Sequence, residues 1–320
     1  MIFKFIKVFM VFIYFLVSSK VYAEKNKWES YIIHQNKKRD FRIYVPGRNS
    51  KNYKIPLVIV LHGGSGSGIS IEKYSGFSKL AEDEKFIAAY PDAYSGQWND
   101  GREFIQSKSY RLKIDDVGFI SKMIDKIKKN YNIDEKRIYV AGISNGGFMA
   151  LRLGCELSEK ISGIAVICAT MSEFLSSNCR PKEKISVLIM NGTDDKLVPY
   201  DGGYVTIGKL KRGKIRSTDF TLKYWCKINE CEKEPSLTKI IDNDKNDGTK
   251  IEKIVYRGKY GADVFLYKII GGGHTLPGAN QYLPKEIIGR VSKEIDATKE
   301  IWKFFLNHPK VNNSPAVILF

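Results

Sequence analysis

The stretch Arg137-Ile-Tyr-Val-Ala-Gly142-Ile143-Ser144-Asn145-Gly146-Gly147-Phe148 holds the pattern that decides the fold. Residues 138–141 are uncharged and include aromatic and β-branched side chains, which predicts a short buried strand. Residues 148–157 then predict a helix. Between the two lies G-x-S-x-G, a sharp strand-to-helix turn that exposes the serine hydroxyl in a strained backbone conformation. The sequence therefore predicts a nucleophile at Ser144.

The residues around Ser144 suit this turn. Gly142 and Gly146 are small, as they must be where a strand and a helix approach closely. The backbone N–H of Asn145 begins the predicted helix and would point to the place where an oxyanion forms. The alternative is a glycine-rich turn with an incidental serine, so other parts of the chain must supply the remaining catalytic groups.

The length of 320 residues allows one large α/β domain or two small ones. A hydrophobic content of 43% supports a sizeable core and argues against global disorder. No internal repeat, linker or change of composition divides the chain. We therefore expect a single catalytic domain over residues 24–310, followed by a loose tail at 311–320.

The N-terminal residues 1–23 resemble a secretory signal peptide. Lys4 and Lys7 precede an uncharged apolar run from Val8 to Val17, and Val21-Tyr22-Ala23 suits cleavage before Glu24. The run is short for a membrane span, although an uncleaved anchor is the alternative. We expect a secreted or periplasmic protein with no stable membrane insertion after cleavage.

The basic charge does not by itself indicate a nucleic-acid partner. Loss of Lys4, Lys7 and Lys20 with the leader lowers the formal net charge from +17 to +14. The remaining lysines are scattered over predicted helices and loops without a dense run or interleaved aromatic residues. We therefore expect a solvated surface and no nucleic-acid binding.

Five cysteines follow the leader, and export would permit disulfides. Cys168 lies in an apolar run and is expected to be a buried free thiol. The preferred pairs are Cys155 with Cys179 and Cys226 with Cys231. None of the cysteines has metal-ligand spacing with a histidine, so neither a metal nor another cofactor is expected.

Strands alternating with helices predict a mostly parallel sheet, preceded by an antiparallel hairpin with its turn at residues 36–39. Helices are predicted at residues 71–84, 117–131, 148–157, 217–227 and 295–306. Further strands are predicted at residues 56–62, 86–90, 161–169, 185–190, 252–256 and 264–270. This is an α/β class, and the starting hairpin fits an α/β-hydrolase order.

Two later strands end in residues that could complete a serine catalytic site. The strand at 185–190 runs into Gly192-Thr-Asp194-Asp195, where either aspartate could orient a base, or both could merely form a turn. The strand at 264–270 runs into Gly271-Gly-Gly-His274. The order serine, acid, histidine is the order of α/β-hydrolases.

The strand at 56–62 ends in His62-Gly63-Gly64, and its loop could supply a second oxyanion donor, most simply the N–H of Gly64. His62 is better explained as a structural hydrogen-bonding residue than as the base. The glycine-rich loop lacks the lysine and Ser/Thr of a P-loop, so nucleotide binding ranks low.

Together these motifs resemble the secreted polyhydroxybutyrate depolymerase and feruloyl esterase family, over roughly residues 42–306. The residues that carry the resemblance are His62-Gly63, Tyr90-Pro91-Asp92, Trp98-Asn99, Asp116-Val117-Gly118-Phe119, Gly142-Ile-Ser-Asn-Gly-Gly, Gly192-Thr-Asp-Asp195, Val198-Pro199-Tyr200, Gly202-Gly203, Asp247-Gly-Thr249, Gly271-Gly-Gly-His274-Thr and Pro277-Gly278.

The resemblance implies an α/β-hydrolase fold and a Ser-Asp-His carboxylic ester hydrolase with Asp195 as the acid. Two positions depart from the family, with Leu276 where tryptophan is common and Gly64 where cysteine is frequent. Trp98 and His62 are candidate substrate-binding residues, although Trp98 could equally be a loop aromatic that covers the core.

The substrate would be an ester, whether a polyester oligomer, a feruloylated or acetylated saccharide, or a small acyl ester. A peptidase or amidase on the same fold and an inactive secreted binding module are the alternative functions.

Overall fold

The computed structural model describes residues 27–47 and 53–311. The predicted leader at 1–23 and the tail beyond Val311 lie outside the described residues. Within the described ranges the strands are β1 (Lys27–His34), β2 (Lys37–Tyr44), β3 (Ile55–Leu61), β4 (Ile87–Pro91), β5 (Ile133–Ile143), β6 (Gly163–Ile167), β7 (Ser186–Gly192), β8 (Gly203–Ile207), β9 (Leu210–Ile215), β10 (Leu237–Ile241), β11 (Lys250–Tyr256) and β12 (Val264–Ile270). The α-helices are α1 (Gly68–Ser75), α2 (Phe77–Glu84), α3 (Lys108–Arg111), α4 (Asp116–Asn130), α5 (Asn145–Glu156), α6 (Glu173–Asn178), α7 (Thr218–Ile228), α8 (Lys285–Ile288) and α9 (Ala297–Leu306).

Ten strands form one twisted sheet in the order β1-β2-β4-β3-β5-β6-β7-β12-β11-β10. The six strands from β4 to β12 in this order are parallel, and the pairs at both edges are antiparallel. Strands β8 and β9 form a separate hairpin. The parallel arrangement places the loops that follow β3, β5, β7 and β12 at one edge of the sheet, which is where ligands bind in open α/β sheets.

The core lies on both faces of this sheet. Helices α4, α5 and α7 pack on one face, and α1, α2 and α9 pack on the other. Because both faces are covered, β3 and β7 are buried along their whole length, as their continuous apolar sequences predict. None of the helices within the described ranges is long and apolar enough to cross a membrane.

Several local features differ from the sequence predictions. The first hairpin turns at Gln35 and Asn36, slightly before the predicted turn, and both residues have positive φ. The helix predicted over 71–84 is two helices, because Gly76 adopts φ 71° between them. The β8–β9 hairpin and the edge strand β10 were not predicted. These strands are largely exposed, so their sequences lack the apolar signal of buried strands.

The structure confirms one predicted disulfide and not the other. Cys155 and Cys179 form a disulfide, and Cys168 is a buried free thiol as expected. The prediction of a Cys226–Cys231 bond is wrong for this structure, where both thiols are free. The backbone N–H of Cys231 donates to the carbonyl of Cys226, and this local turn leaves the two thiols hydrogen-bonded to each other rather than joined by a disulfide.

Candidate active site

Ser144 lies at the tip of a strained turn between β5 and α5. Its backbone has φ 55° and ψ −119°, a conformation that non-glycine residues rarely adopt. Its N–H donates to the carbonyl of Ile167 at 2.8 Å, which fixes the turn against β6. This strand-turn-helix context is the structural setting that the G-x-S-x-G pattern requires.

The glycines beside Ser144 are required by close contacts between backbones. A Cβ atom added to Gly142 would lie 2.1 Å from the carbonyl oxygen of Gly146. A Cβ atom added to Gly146 would lie 2.3 Å from the carbonyl oxygen of Leu61. The strand, the turn and the neighbouring strand β3 can therefore approach this closely only without side chains at these positions.

Asp195 and His274 face each other at the same edge of the sheet. Nδ1 of His274 lies 2.7 Å from Oδ2 of Asp195, and both side chains are buried. Oδ1 of Asp195 accepts the backbone N–H groups of Leu197 and Val198, each at 2.8 Å. Asp194 is exposed, and within residues 27–47 and 53–311 its carboxylate accepts only the neighbouring Thr193 hydroxyl. Of the two aspartates, the structure therefore pairs Asp195 with the histidine.

The loop that carries His274 is fixed through its backbone. The His274 N–H donates to the carbonyl of Ile288 at 2.5 Å, and the hydroxyl of Tyr282 donates to the carbonyl of His274 at 3.0 Å. A Cβ atom at Gly273 would lie 2.1 Å from the Ile288 carbonyl oxygen, which explains the need for glycine before the histidine. The imidazole is thus held with Nδ1 toward Asp195 and Nε2 directed away from it.

Cys168 connects the turn to the acid and the histidine. It follows Ile167, the residue that accepts the Ser144 N–H, and its thiol donates to the carbonyl of Thr275 at 3.3 Å. Burial raises the pKa of this thiol, and the nearby Asp195 carboxylate raises it further. The thiol is therefore held protonated, as a packing and hydrogen-bonding group beneath the site.

Cys168, Asp195 and His274 also form a group that could hold a metal ion, since they offer ligand atoms within 4.8 Å of one another. All three are buried, and the Cys168 thiol, the Asp195 carboxylate and Nδ1 of His274 already have hydrogen-bond partners within the protein. A cation bound by all three would replace the Asp195–His274 hydrogen bond. The observed pairing fits a histidine oriented by a carboxylate better than it fits a set of metal ligands.

Two backbone N–H groups are available as oxyanion donors. Gly63 lies against Ser144, since a Cβ atom added to it would be 3.5 Å from Ser144 Cβ. Within residues 27–47 and 53–311, neither the N–H of Gly64 nor that of Asn145 donates to a protein acceptor. Both predicted donors therefore have unused hydrogen-bonding capacity, and a role in binding an oxyanion stays a prediction.

His62 and Trp98 form part of the wall behind the turn. Ala93 donates its N–H to Nε2 of His62 at 3.0 Å, while Nδ1 of His62 donates to the Gly63 carbonyl at 2.7 Å. The indole N–H of Trp98 donates to the carbonyl of His62 at 2.9 Å. Burial lowers the pKa of His62, so the imidazole is neutral and structural.

Both side chains are at most 2% exposed. These contacts are those of a loop aromatic and a structural histidine, the alternatives that the sequence left open. Contact of either residue with substrate remains a prediction.

A buried polar network behind Asn145 was not identified from the sequence. The Asn145 carboxamide accepts the Trp98 N–H at 2.8 Å and donates to the Asp100 carboxylate at 2.5 Å. Asp100 is also paired with Arg102 at 2.6 Å, and the Arg102 guanidinium lies 4.0 Å from the ring centre of Phe148. The polar loop sequence Trp98-Asn99-Asp100 could have indicated this network. The residues that the network contacts, Asn145 and Phe148, are distant in the chain, however.

Comparison with known proteins found related sequences and structures. The chain is 30% identical over 227 residues to feruloyl esterase B of Piromyces equi, covering 69% of this chain and 39% of that protein. It is 31% identical over 128 residues to poly(3-hydroxyalkanoate) depolymerase C of Paucimonas lemoignei, covering 36% of this chain and 29% of that protein. The chain thus spans about two fifths or less of the length of these two relatives.

A solved structure shares the fold. The acetyl xylan esterase from Aspergillus awamori superposes with a TM-score of 0.55 at 15% identity, covering 88% of this chain and 99% of that one. The model of the phospholipase/carboxylesterase family matches residues 49–223, which is more than half of the chain. The predicted α/β-hydrolase fold is confirmed, and the chain belongs to the phospholipase/carboxylesterase family.

Proposed function

We propose that this protein is a serine esterase that hydrolyses carboxylic esters through an acyl-enzyme. The observation that carries the proposal is the buried hydrogen bond between Asp195 and His274, on the same sheet edge as the strained turn at Ser144. The three residues follow β5, β7 and β12, whose carboxyl ends lie at one edge of the sheet, and this shared edge supports the proposal.

In this mechanism Nε2 of His274 takes the proton from the Ser144 hydroxyl as Oγ attacks the ester carbonyl carbon. Asp195 fixes the tautomer of His274 through Nδ1 and stabilises the imidazolium. The Gly64 and Asn145 amides bind the oxyanion. Collapse of the tetrahedral intermediate breaks the bond to the alcohol, which leaves with the proton from His274. Water activated by His274 then releases the acid and restores Ser144.

We propose a substrate class from the names of the relatives. A feruloyl esterase, a poly(3-hydroxyalkanoate) depolymerase and an acetyl xylan esterase are named for carboxylic ester substrates. We therefore propose an ester of a feruloylated or acetylated saccharide, a polyester oligomer or a small acyl ester.

We further propose that the enzyme acts outside the cytoplasm, as the predicted leader over residues 1–23 suggests. The disulfide between Cys155 and Cys179 supports this location, since disulfides persist mainly in oxidising compartments.

The test is hydrolysis by the purified chain from Glu24 onward. The panel contains short and long p-nitrophenyl esters, methyl ferulate, acetylated xylan and 3-hydroxybutyrate oligomers, with Ser144→Ala as the blank. We expect hydrolysis of at least one ester by the parent protein and none by the variant. A fluorophosphonate probe should label the parent protein at Ser144.

Labelling of Ser144 with hydrolysis of amides but not of esters would instead establish a peptidase or amidase. Absence of both labelling and hydrolysis would leave an inactive binding module.

A further inference from the structure

The segment that is hydrogen-bonded to both Ser65 and Asn145 carries a polar side chain with no role in the mechanism above. We propose that Gln97 is a catalytic residue whose side-chain amide is a third donor to the oxyanion. This inference rests on the proposed serine esterase function and adds to it a side-chain contact with the reacting oxygen.

Gln97 lies between two hydrogen bonds that tie its segment to the two oxyanion loops. On one side, the carbonyl of Gly96 accepts the N–H of Ser65 at 2.8 Å. On the other side, the N–H of Trp98 donates to Oδ1 of Asn145 at 2.8 Å. Ser65 follows Gly64, and Asn145 follows Ser144. The two attachments therefore place Gln97 between the segments that carry the two backbone donors.

The side chain of Gln97 lies directly against Gly64. A Cβ atom added to Gly64 would be 2.7 Å from Nε2 of Gln97 and 3.3 Å from Oε1. The carboxamide thus occupies the space that a side chain at position 64 would take. A larger residue at position 64 would therefore require the Gln97 carboxamide to move.

The Gln97 carboxamide is half-buried and has no hydrogen-bond partner in the part of the chain that the structure describes. A substrate that covers the turn would remove this group from water, which is costly unless the substrate supplies a hydrogen-bond partner. The oxygen of the reacting carbonyl is such a partner, because the neighbouring donor Gly64 N–H is proposed to bind it.

The backbone around Gln97 is held in place before any substrate arrives. A tight turn with positive φ at Ser95 and Gly96 precedes it, and the buried Trp98 follows it. A donor on so constrained a segment needs little rearrangement as charge develops on the oxygen. This is the condition under which oxyanion donors accelerate acyl transfer most.

The experiment compares Gln97→Met and Gln97→Glu with the parent protein in p-nitrophenyl acetate hydrolysis. Methionine keeps the length of the side chain without a donor, and glutamate places a negative charge beside the oxyanion. We expect kcat to fall on the order of 10²-fold in Gln97→Met, the usual loss for one oxyanion donor, with KM little changed. Gln97→Glu should lose more.

Affinity for a trifluoromethyl ketone, which forms an oxyanion on Ser144, should fall in proportion to kcat/KM. A merely structural residue would not produce this correlation. The matched control is Asn130→Asp, an exposed amide at the end of α4 and at the opposite end of β5 from Ser144. It introduces the same charge and should leave the kinetics unchanged.

Gly64→Ala is an independent test that keeps both the backbone donor and the Gln97 amide. It should reproduce the kcat loss of Gln97→Met by pushing the carboxamide aside, and Gly64→Ala combined with Gln97→Met should lose little more than either alone. If Gln97→Met lowers the melting temperature, the kcat of Gly64→Ala still tests whether the Gln97 amide contributes to catalysis.

Wild-type kcat in Gln97→Met, or a rise in KM alone, would overturn the inference while leaving the esterase function intact. Failure of the parent protein to show Ser144-dependent hydrolysis and probe labelling would instead refute the proposed function.

Discussion

Oδ2 of Asp195 lies 2.7 Å from Nδ1 of His274, while Oδ1 of the same carboxylate accepts two backbone N–H groups. The carboxylate is thereby fixed by the chain itself and can orient only one tautomer of the histidine. Asp194, one residue earlier, points to solvent. We therefore expect substitution of Asp195 to affect catalysis much more than substitution of Asp194.

Asp195→Asn should lower kcat by about 10⁴-fold, because the amide cannot stabilise the imidazolium and favours the wrong tautomer of His274. Asp194→Asn is the matched control, since it makes the same change in an exposed residue, and its kcat should stay close to that of the parent protein. Steady-state hydrolysis of a p-nitrophenyl ester measures both. A larger loss in Asp194→Asn would show that the acid has been misassigned.

Ser144→Gly should unfold at higher denaturant concentration than Ser144→Ala, although both should be inactive. Glycine tolerates φ 55° and ψ −119°, whereas alanine retains the strain of a Cβ atom in this conformation. After the greater entropy of glycine in the unfolded chain is allowed for, the difference should be about 1 kcal/mol. Urea unfolding at pH 8 measures it, and equal stabilities would mean that the strain relieved by glycine does not exceed its entropy cost.

His62 should remain neutral as the pH falls below the usual histidine pKa of about 6.5. Its pKa is lowered by burial, so between the two pKa values the unfolded chain binds a proton that the folded protein does not. Its contribution to stability is therefore complete above about pH 6.5 and declines as the pH falls. NMR of the imidazole nitrogens tests the protonation state. Titration of His62 at an ordinary pH would contradict the structural role.

Reduction of the Cys155–Cys179 disulfide should destabilise the protein. The bond closes a loop between residues 24 apart in sequence, and loss of such a cross-link costs about 3 kcal/mol. The test is thermal unfolding with and without dithiothreitol, where the parent protein should lose stability. A Cys155→Ala/Cys179→Ala variant should have a lower melting temperature than the parent protein, and dithiothreitol should not change it. Cys226→Ser is the control, because its thiol is already free and the response to reductant should persist.

Asp100→Asn should destabilise the protein by about 3–5 kcal/mol, since it leaves the buried guanidinium of Arg102 without its counter-charge. Lys182→Ala removes the exposed ion pair with Glu159 and should change stability by about 1 kcal/mol or less. Chemical unfolding compares the two. Similar small losses would show that the network behind Asn145 does not depend on its charges.

Much of the fold and three side chains of the candidate site could be predicted from the sequence. Continuous apolar runs marked β3, β5 and β7, because a strand covered on both faces needs apolar residues at every position. The glycines around Ser144 and before His274 indicated close backbone approach, and the contact distances confirm it. These signals are local, so they can be read without knowing what else lies nearby.

Other features depended on contacts between distant parts of the chain. The sequence around Asp194 and Asp195 allowed either to be the acid until the resemblance favoured one, and only the fold brings the Asp195 carboxylate to His274. The break at Gly76, the free thiols of Cys226 and Cys231, and the exposed β8–β9 hairpin likewise followed from packing rather than from periodicity.

The sequence by itself determined that a serine turn, an acid and a histidine follow three separate strands in the order of a hydrolase. Only the tertiary structure decided what surrounds them. It placed Gln97 against Gly64 and Asp100 against Asn145, although these residues lie 33 and 45 positions apart in the chain. The physical reason is that backbone turns are encoded by neighbouring residues, whereas hydrogen-bonding partners depend on which loops the sheet brings together.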